Sequence, residues 1–210
     1  MPEDLTYKNA VANIEKVLIK GRRTKADVFI TQSGGSRFLV KDYTQKGFWE
    51  RTLAGRTVIG RETRAYDALS GIDGFPDHYK RLSPFSIAVE YLDGKDLGEV
   101  ARGEIGPDVI RQLERIVHEL HAHGWVHLDL HRRANILLIS GRVYVVDLAS
   151  ALHTGFIPLA GQVLTFLFGL ADRLSLIKMK TIFAPELMTP REKKWLALRN
   201  TFMPTKWDVT

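Results

Sequence analysis

The chain has 210 residues, 45% of them hydrophobic and 26% charged, which suits one compact domain or two small lobes and excludes a disordered, collagenous or coiled-coil protein. Lys+Arg of 30 against Asp+Glu of 24 leaves a formal charge of +6, which favours anionic partners: a nucleotide, a phosphorylated sugar, nucleic acid or an acidic membrane surface. There is no cysteine, so disulfides, thiolate metal sites and thiol nucleophiles are all excluded. The opening residues, MPEDLTYKNA, are polar and acidic where a secretory leader is cationic and then apolar, so a cytoplasmic location is expected.

In chain order, Val28-Phe29-Ile30 and Phe38-Leu39-Val40 are β-rich runs around Ser33-Gly34-Gly35-Ser36, which predicts a hairpin. Gly55 to Leu69 reads as a helix, stopped by Gly71 and Gly74-Phe75-Pro76. Ser86 to Leu92 reads as a strand ending at Asp93-Gly94. Gly106-Pro107-Asp108 starts a helix, with proline in the first turn and an acid beside the positive helix end. Val109, Ile110, Leu113, Ile116, Val117 and Leu120 give that helix one apolar face, and Gly124 ends it. Trp125-Val126-His127 begins a short strand. Ile136 to Ile139 and Val143 to Val146 flank Ser140-Gly141 as a second hairpin.

From Leu148 to Ala171 there is no Asp, Glu, Lys or Arg. This run holds Pro158, and its densest apolar part, Leu159 to Ala171, falls short of the ~20 residues that a spanning helix needs. A buried helix is expected there, with contact to a membrane surface as the second reading. Thr189-Pro190-Arg191-Glu192 has the form of a capping box and predicts a helix through Trp195 and Leu198. Strands, helix, strand, long helix, two short strands and helices make an α+β chain with antiparallel strands, not an alternating βαβ sheet.

The chemistry concentrates in His127-Leu128-Asp129-Leu130-His131-Arg132-Arg133-Ala134-Asn135-Ile136-Leu137-Leu138, followed after the hairpin by Val145-Val146-Asp147-Leu148-Ala149. A loop carboxylate, an amide a few residues on, and a second carboxylate after a hairpin can surround one small volume. Hard oxygen ligands of this kind suit Mg²⁺ and a phosphate chain, with one carboxylate left to take a hydroxyl proton.

At these residues the sequence resembles the protein-kinase-like superfamily. The resemblance is nearest to the bacterial lipopolysaccharide core kinases that phosphorylate Kdo or heptose, and is more distant to aminoglycoside phosphotransferases and RIO kinases. It implies a bilobal fold with a small antiparallel-sheet N-lobe, over residues 1–92, and a reduced, mainly helical C-lobe over 93–210. It implies an ATP-dependent, Mg²⁺-requiring transfer of the γ-phosphate to a hydroxyl. Asp129 would be the catalytic base and His127 would brace its loop, while Asn135 and Asp147 would hold Mg²⁺. Lys41, after Arg37-Phe38-Leu39-Val40, resembles the strand lysine of the family, and Glu62 the helical glutamate that pairs with it. Ala88-Val89-Glu90-Tyr91-Leu92 resembles the hinge, where Glu90 and Leu92 would offer backbone groups to adenine and Asp96 a carboxylate to the ribose. The resemblance covers about residues 20–150, and its features arrive in the family's order.

The sequence also departs from that pattern. Asn135 lies six residues after Asp129, where the family has five. No glycine-rich phosphate loop is present; Lys20-Gly21-Arg22-Arg23-Thr24-Lys25 stands in its place, with basic side chains that could hold phosphates. Leu148-Ala149 replaces Phe-Gly, and Ala184-Pro185-Glu186 has no matching helix signature after it. Each residue also has a plainer reading. Asp129 could cap a turn, Lys41 could be a solvated strand lysine, and Glu62 could pair on the helix surface with Arg61 and Arg64. Arg132 and Arg133 either meet an anionic acceptor or are solvated. His118, His121 and His123 lack the partners of a zinc site. Arg191-Glu192-Lys193-Lys194 beside Trp195 is a wet helix face or a peripheral contact with anionic lipid. The expected acceptor is a core sugar or glycolipid. A pseudokinase module and a small protein Ser/Thr kinase are the alternatives, and nucleic-acid binding is not expected.

Overall fold

The computed structural model describes residues 2–101, 103–154 and 161–202. The chain divides into two compact units, Met1–Asp93 with Val146–Leu152, and Gly94–Val145 with His153–Thr210.

In the first unit, helix α1 (Tyr7–Ala12) precedes strands β1 (Ile14–Ile19), β2 (Asp27–Ser33) and β3 (Ser36–Asp42). Helix α2 (Arg56–Leu69) follows, then β4 (Tyr79–Ser83) and β5 (Ser86–Glu90). The five strands form one antiparallel sheet in the order β1-β2-β3-β5-β4. The predicted hairpin joins β2 to β3. Gly34 and Gly35 both have positive φ (56° and 77°), as a two-residue turn that matches strand twist requires, and Ser33 pairs with Ser36 across it. β5 lies between β3 and β4, and Ser86, Ile87, Ala88 and Val89 are all buried there. Leu5, Ala10, Phe29, Phe38, Val40 and Ala88 form a core cluster on one side of the sheet. Sequence reading missed α1, β1 and β4. β1 is exposed along its whole length and β4 is at best half-buried, so neither carries the period-2 burial that marks a strand.

A π-helical segment, Glu50–Gly55, leads into α2. Gly55 is buried where this segment meets Tyr43, and a Cβ there would stand 2.6 Å from the Cβ of Tyr43. Behind this contact α2 buries Ile59, Glu62, Ala65, Tyr66 and Leu69 as one stripe. An acid inside an apolar stripe needs a buried partner.

In the second unit, β6 (Lys95–Asp96), α3 (Pro107–Ala122), β7 (Trp125–Val126), β8 (Ile136–Ile139), β9 (Arg142–Val145), α4 (Gly161–Phe183) and α5 (Pro190–Phe202) follow in order. β6, β8 and β9 form a small antiparallel sheet. α3 starts on Pro107 and buries the six apolar residues that its periodicity marks; Gly124, with φ of 72°, ends the turn after it. Full burial of such side chains contributes ~1.5–3 kcal/mol each. The predicted capping box forms: Thr189 Oγ1 accepts from Glu192 N (3.2 Å) and Glu192 Oε2 accepts from Thr189 N (2.7 Å). Lys180 is buried and reaches both Glu114 (2.6 Å) and Glu192 (2.8 Å), tying α3, α4 and α5 together.

One expectation fails. The apolar run is expected as a buried helix; Pro158 and Leu159 lie outside the described residues, and the first half of the helix that follows is largely exposed. Val163, Phe166, Leu167, Phe168 and Leu170 are all exposed, while Gly161, Gly169, Asp172 and Ser175 are buried. Polar anchors, described below, set the rotation of α4 against its hydrophobicity. Among the described residues no helix is long and apolar enough to cross a membrane.

Gly55→Ala is expected to destabilise the fold by about 1–3 kcal/mol, because the added methyl meets the body of a buried tyrosine. Chemical denaturation of the variant beside wild type measures this.

Candidate active site

The first unit assembles one buried charge cluster. Lys41 is on β3, paired with Ile87 of β5 in the middle of the sheet. Its Nζ donates to Glu62 Oε1 and to Asp147 Oδ1, both at 2.6 Å. Glu62 is fully buried and does not pair on the helix surface, since Arg64 bonds to the Gly60 carbonyl instead. Asp147 arrives on the segment Val146–Leu152, and its side chain is 42% exposed. It has φ of 63° and ψ of 68°, a left-handed conformation that Asp tolerates better than most residues, and it caps the short turn Leu148–Ser150 by accepting from Ala149 N. The guanidinium of Arg61 donates to the carbonyl of Ala149. Adjacent residues of α2 therefore serve the cluster in two ways: Arg61 holds the turn that carries Asp147, and Glu62 holds Lys41.

The electrostatics follow from these contacts. Burial opposes the Lys41 ammonium, but the charges of Glu62 and Asp147 outweigh it and raise its pKa above the ordinary lysine value. Burial pushes the Glu62 carboxyl above its usual range, with the Asp147 charge adding to this and Lys41 opposing it. One ammonium faces two carboxylates, and the Arg61 guanidinium on the same helix also opposes the rise at Glu62. Glu62 Oε2 is buried without a hydrogen-bond partner. Asp147 is the exposed member and the one able to meet a cation from solvent.

The basic turn that replaces a glycine-rich loop joins β1 to β2. Asp27 is buried at its base and accepts from Lys20 Nζ (2.8 Å), Lys46 Nζ (2.6 Å) and Gly21 N (2.9 Å), and Lys46 also donates to the Gly21 carbonyl. Gly21 admits no side chain, because a Cβ would lie 2.1 Å from the Ala26 carbonyl oxygen. The braced turn displays Arg22, Arg23, Thr24 and Lys25 to solvent. At the end of β5, Glu90 donates its N–H to His78 O (2.7 Å), and Leu92 follows outside any regular element.

The second unit holds Asp129. Its backbone N–H donates to His127 Nδ1 (3.3 Å), and His127 is fully buried. Asn135 Nδ2 donates to the Asp129 carbonyl (3.0 Å) and to Asp129 Oδ2 (3.2 Å). The extra residue in this loop has not separated the pair, because a short 3-10 turn at Arg133–Asn135 brings the amide back. With its nitrogen committed, Asn135 has its carbonyl oxygen to give a cation. His131 Nδ1 (3.4 Å) and Arg132 Nε (3.2 Å) flank Asp129 Oδ1, and both side chains are mostly exposed. Asp96 Oδ1 is taken by a local turn, accepting from Gly98 N (2.6 Å) and Glu99 N (3.2 Å).

Sequence reading missed Asp172, the first acidic residue after the uncharged run. It is fully buried on α4, accepts from His127 N (2.8 Å) and Leu128 N (2.9 Å), and meets His121 Nε2 (3.0 Å). Leu128 has a positive φ of 66°, and these bonds hold it there. Gly169 makes room for the His121 ring, because a Cβ would stand 2.8 Å from its Cε1. So His121 is a packed partner of Asp172, and among the described residues no group of three or more His, Asp or Glu could hold a metal alone. Carboxylate and amide oxygens are the hard donors that Mg²⁺ takes, and each unit holds one such group, Asp147 in the first and Asn135 in the second.

No family model matches the chain. It is 28% identical over 137 residues, 64% of its length, to a Bacillus subtilis (strain 168) protein named "Putative serine/threonine-protein kinase YrzF", and the match spans 60% of that relative. Among solved structures it resembles the Rio2 kinase from Chaetomium thermophilum with TM-score 0.64 and 14% identity, over 88% of this chain and 62% of that one. It resembles the Rio2 kinase-ADP/Mg²⁺-phosphoaspartate complex from the same organism with TM-score 0.57 and 15% identity, over 92% and 69%. The chain therefore has the protein-kinase-like fold that its motifs imply. None of these three proteins is described as a lipopolysaccharide kinase.

Asp27→Asn should cost roughly 2 kcal/mol at neutral pH by unbalancing Lys20 and Lys46. Burial favours the neutral acid, but Lys20, Lys46 and the Gly21 amide outweigh it and lower the Asp27 pKa. A lowered carboxylate stabilises above its unfolded value and loses that contribution as pH falls through the folded one. The difference between wild type and variant should therefore shrink below about pH 4 in denaturation curves across pH.

Proposed function

We propose that the chain is an ATP-dependent phosphotransferase that moves the γ-phosphate to a hydroxyl acceptor. The observation that carries this is the Lys41 ammonium held 2.6 Å from both Glu62 and Asp147, one of them buried and one open to solvent. In this reading Lys41 orients the α- and β-phosphates and Glu62 fixes Lys41. The carboxylate of Asp147 and the Asn135 side-chain oxygen would hold Mg²⁺, which supplies charge neutralisation on the phosphates. The name of the complexed Rio2 kinase, with its ADP and Mg²⁺, supports the same pairing of ligands here. Arg22, Arg23 and Lys25 add side-chain charge where other kinases use backbone amides. Glu90 and Leu92 offer backbone groups to adenine, and Asp96 has one carboxylate oxygen left for the ribose.

Asp129 positions the acceptor hydroxyl and takes its proton as the new O–P bond forms. The bond from the γ-phosphorus to the bridging oxygen breaks, and ADP leaves with that electron pair. His127 and Asn135 keep Asp129 in place. Catalysis rests on position and charge rather than on a covalent intermediate.

For the acceptor we propose an anionic molecule, because His131 and Arg132 border the Asp129 carboxylate and are mostly exposed. A lipopolysaccharide core sugar meets that description. A protein hydroxyl is the second reading, favoured by the description of the Bacillus relative. We place the activity in the cytoplasm; peripheral contact of Arg191, Lys193, Lys194 and Trp195 with anionic lipid is part of the sugar-kinase reading alone.

Asp129→Asn is expected to lower phosphate transfer by at least ~10³-fold with ATP affinity retained. Asp147→Ala is expected to remove the Mg²⁺ dependence of ATP binding. Labelled γ-phosphate transfer to a panel holding deacylated lipopolysaccharide core and a generic protein substrate reads both activity and acceptor. Wild-type transfer by either variant contradicts the assigned roles, and ATP binding without transfer to any acceptor favours a nucleotide-binding module.

A further inference from the structure

The ladder between β3 and β5 ends where Phe38 faces Glu90, and the chain then runs on as Tyr91-Leu92-Asp93, outside any regular element. One side chain grips this segment. Arg37 Nη2 donates to Asp93 Oδ2 (2.6 Å), and the carbon of the same guanidinium lies 4.8 Å from the centre of the Tyr91 ring. The Tyr91 N–H donates to the Arg37 carbonyl (3.0 Å). Leu92 therefore sits between two residues held by a single arginine, and all four residues belong to the first unit.

The guanidinium is itself braced. Its Nη1 lies 3.9 Å from Glu15 Oε1 on β1, and Gln32, the β2 residue paired with Arg37, donates from Nε2 to Glu15 Oε2 (3.2 Å). The side chains of Arg37 and Asp93 are 37% and 70% exposed, and a pair so wet contributes little to the stability of a fold. Strand register does not need it either, since β3 is laddered to β2 on one side and to β5 on the other. What these contacts do fix is the course of residues 91–93, which a lone backbone bond would leave loose. Alternation along β3 places Arg37, Leu39 and Lys41 on one face. At 3.4 Å per residue, Arg37 and Lys41 lie roughly 13 Å apart along it. One strand face thus carries the lysine assigned to the phosphates at one end and, at the other, the arginine that grips the segment assigned to the base.

We propose that Arg37 is a positioning residue for the nucleotide base, holding the Leu92 backbone ready for adenine through its grip on Tyr91 and Asp93. This rests on the nucleotide-binding reading above. Loosening the segment lowers the fraction of chains ready to receive the base, and affinity falls by that fraction. A ligand made of phosphates alone does not use the segment and is indifferent to the change.

Affinities of the full chain for ATP and for inorganic tripolyphosphate, each with Mg²⁺, test this in wild type, Arg37→Met, Asp93→Asn and the double variant. Both single variants should bind ATP about three- to tenfold more weakly, while tripolyphosphate stays within about twofold of wild type. The double variant should bind ATP no more weakly than Arg37→Met, because the two side chains act as one unit. Asp93→Asn alters an exposed side chain, so its thermal midpoint should not move and its loss of affinity is not unfolding. Single variants that bind ATP as wild type does, equal losses for ATP and tripolyphosphate, or losses that add in the double variant would each overturn the role of Arg37, while ATP binding by wild type would leave the reading of the site standing. A wild type that binds neither ligand overturns both.

Discussion

The structure of the first unit depends on one ammonium group shared by two carboxylates. Lys41, Glu62 and Asp147 come from a strand, a helix and a segment far along the chain, and the contacts are 2.6 Å each. Removing a charged group from water costs several kcal/mol unless the geometry returns it, and Lys41 and Glu62 are both buried. Here the return is incomplete at one atom, since Glu62 Oε2 is buried without a hydrogen-bond partner. A fold selected for stability alone would do better with an apolar core. Asp147 is the member of the cluster left open to solvent.

The surrounding elements serve that cluster. β3 sits at the middle of the sheet, so Lys41 has a fixed register between β2 and β5. The π-helical segment and the close contact of Gly55 with Tyr43 set where α2 begins, and so where Glu62 falls in its buried stripe. Arg61 holds the turn that presents Asp147. In the second unit Asp172 does comparable work for the loop of Asp129, holding the backbone of His127 and Leu128 from an adjacent helix. Both units hold these side chains through buried polar bonds, and the first half of α4 leaves large apolar side chains outside.

The parts of this design that were legible in the sequence are local. The glycine pair of the first hairpin, the apolar face of α3 and the capping box of α5 each depend on neighbours a few residues apart, and each forms where the pattern places it. The pairing of Lys41 with Glu62 was legible through the order of family motifs; that Asp147 shares the same ammonium was not. What could not be read depends on distant partners. Asp172 meets residues 44 to 51 positions away, and nothing in its neighbourhood signals them. The orientation of α4 was misread for the same reason: hydrophobicity argued for burial, and a single acid with a single glycine decided otherwise.

The central claim is that the Lys41 cluster is built to receive a nucleotide triphosphate with its divalent cation. Calorimetric titration of ATP, with and without Mg²⁺, into wild type and Lys41→Met tests it most directly. The account predicts Mg²⁺-dependent binding in wild type that weakens by about tenfold or more in the variant. ATP binding that is absent from wild type, or indifferent to both the metal and the lysine, would contradict it.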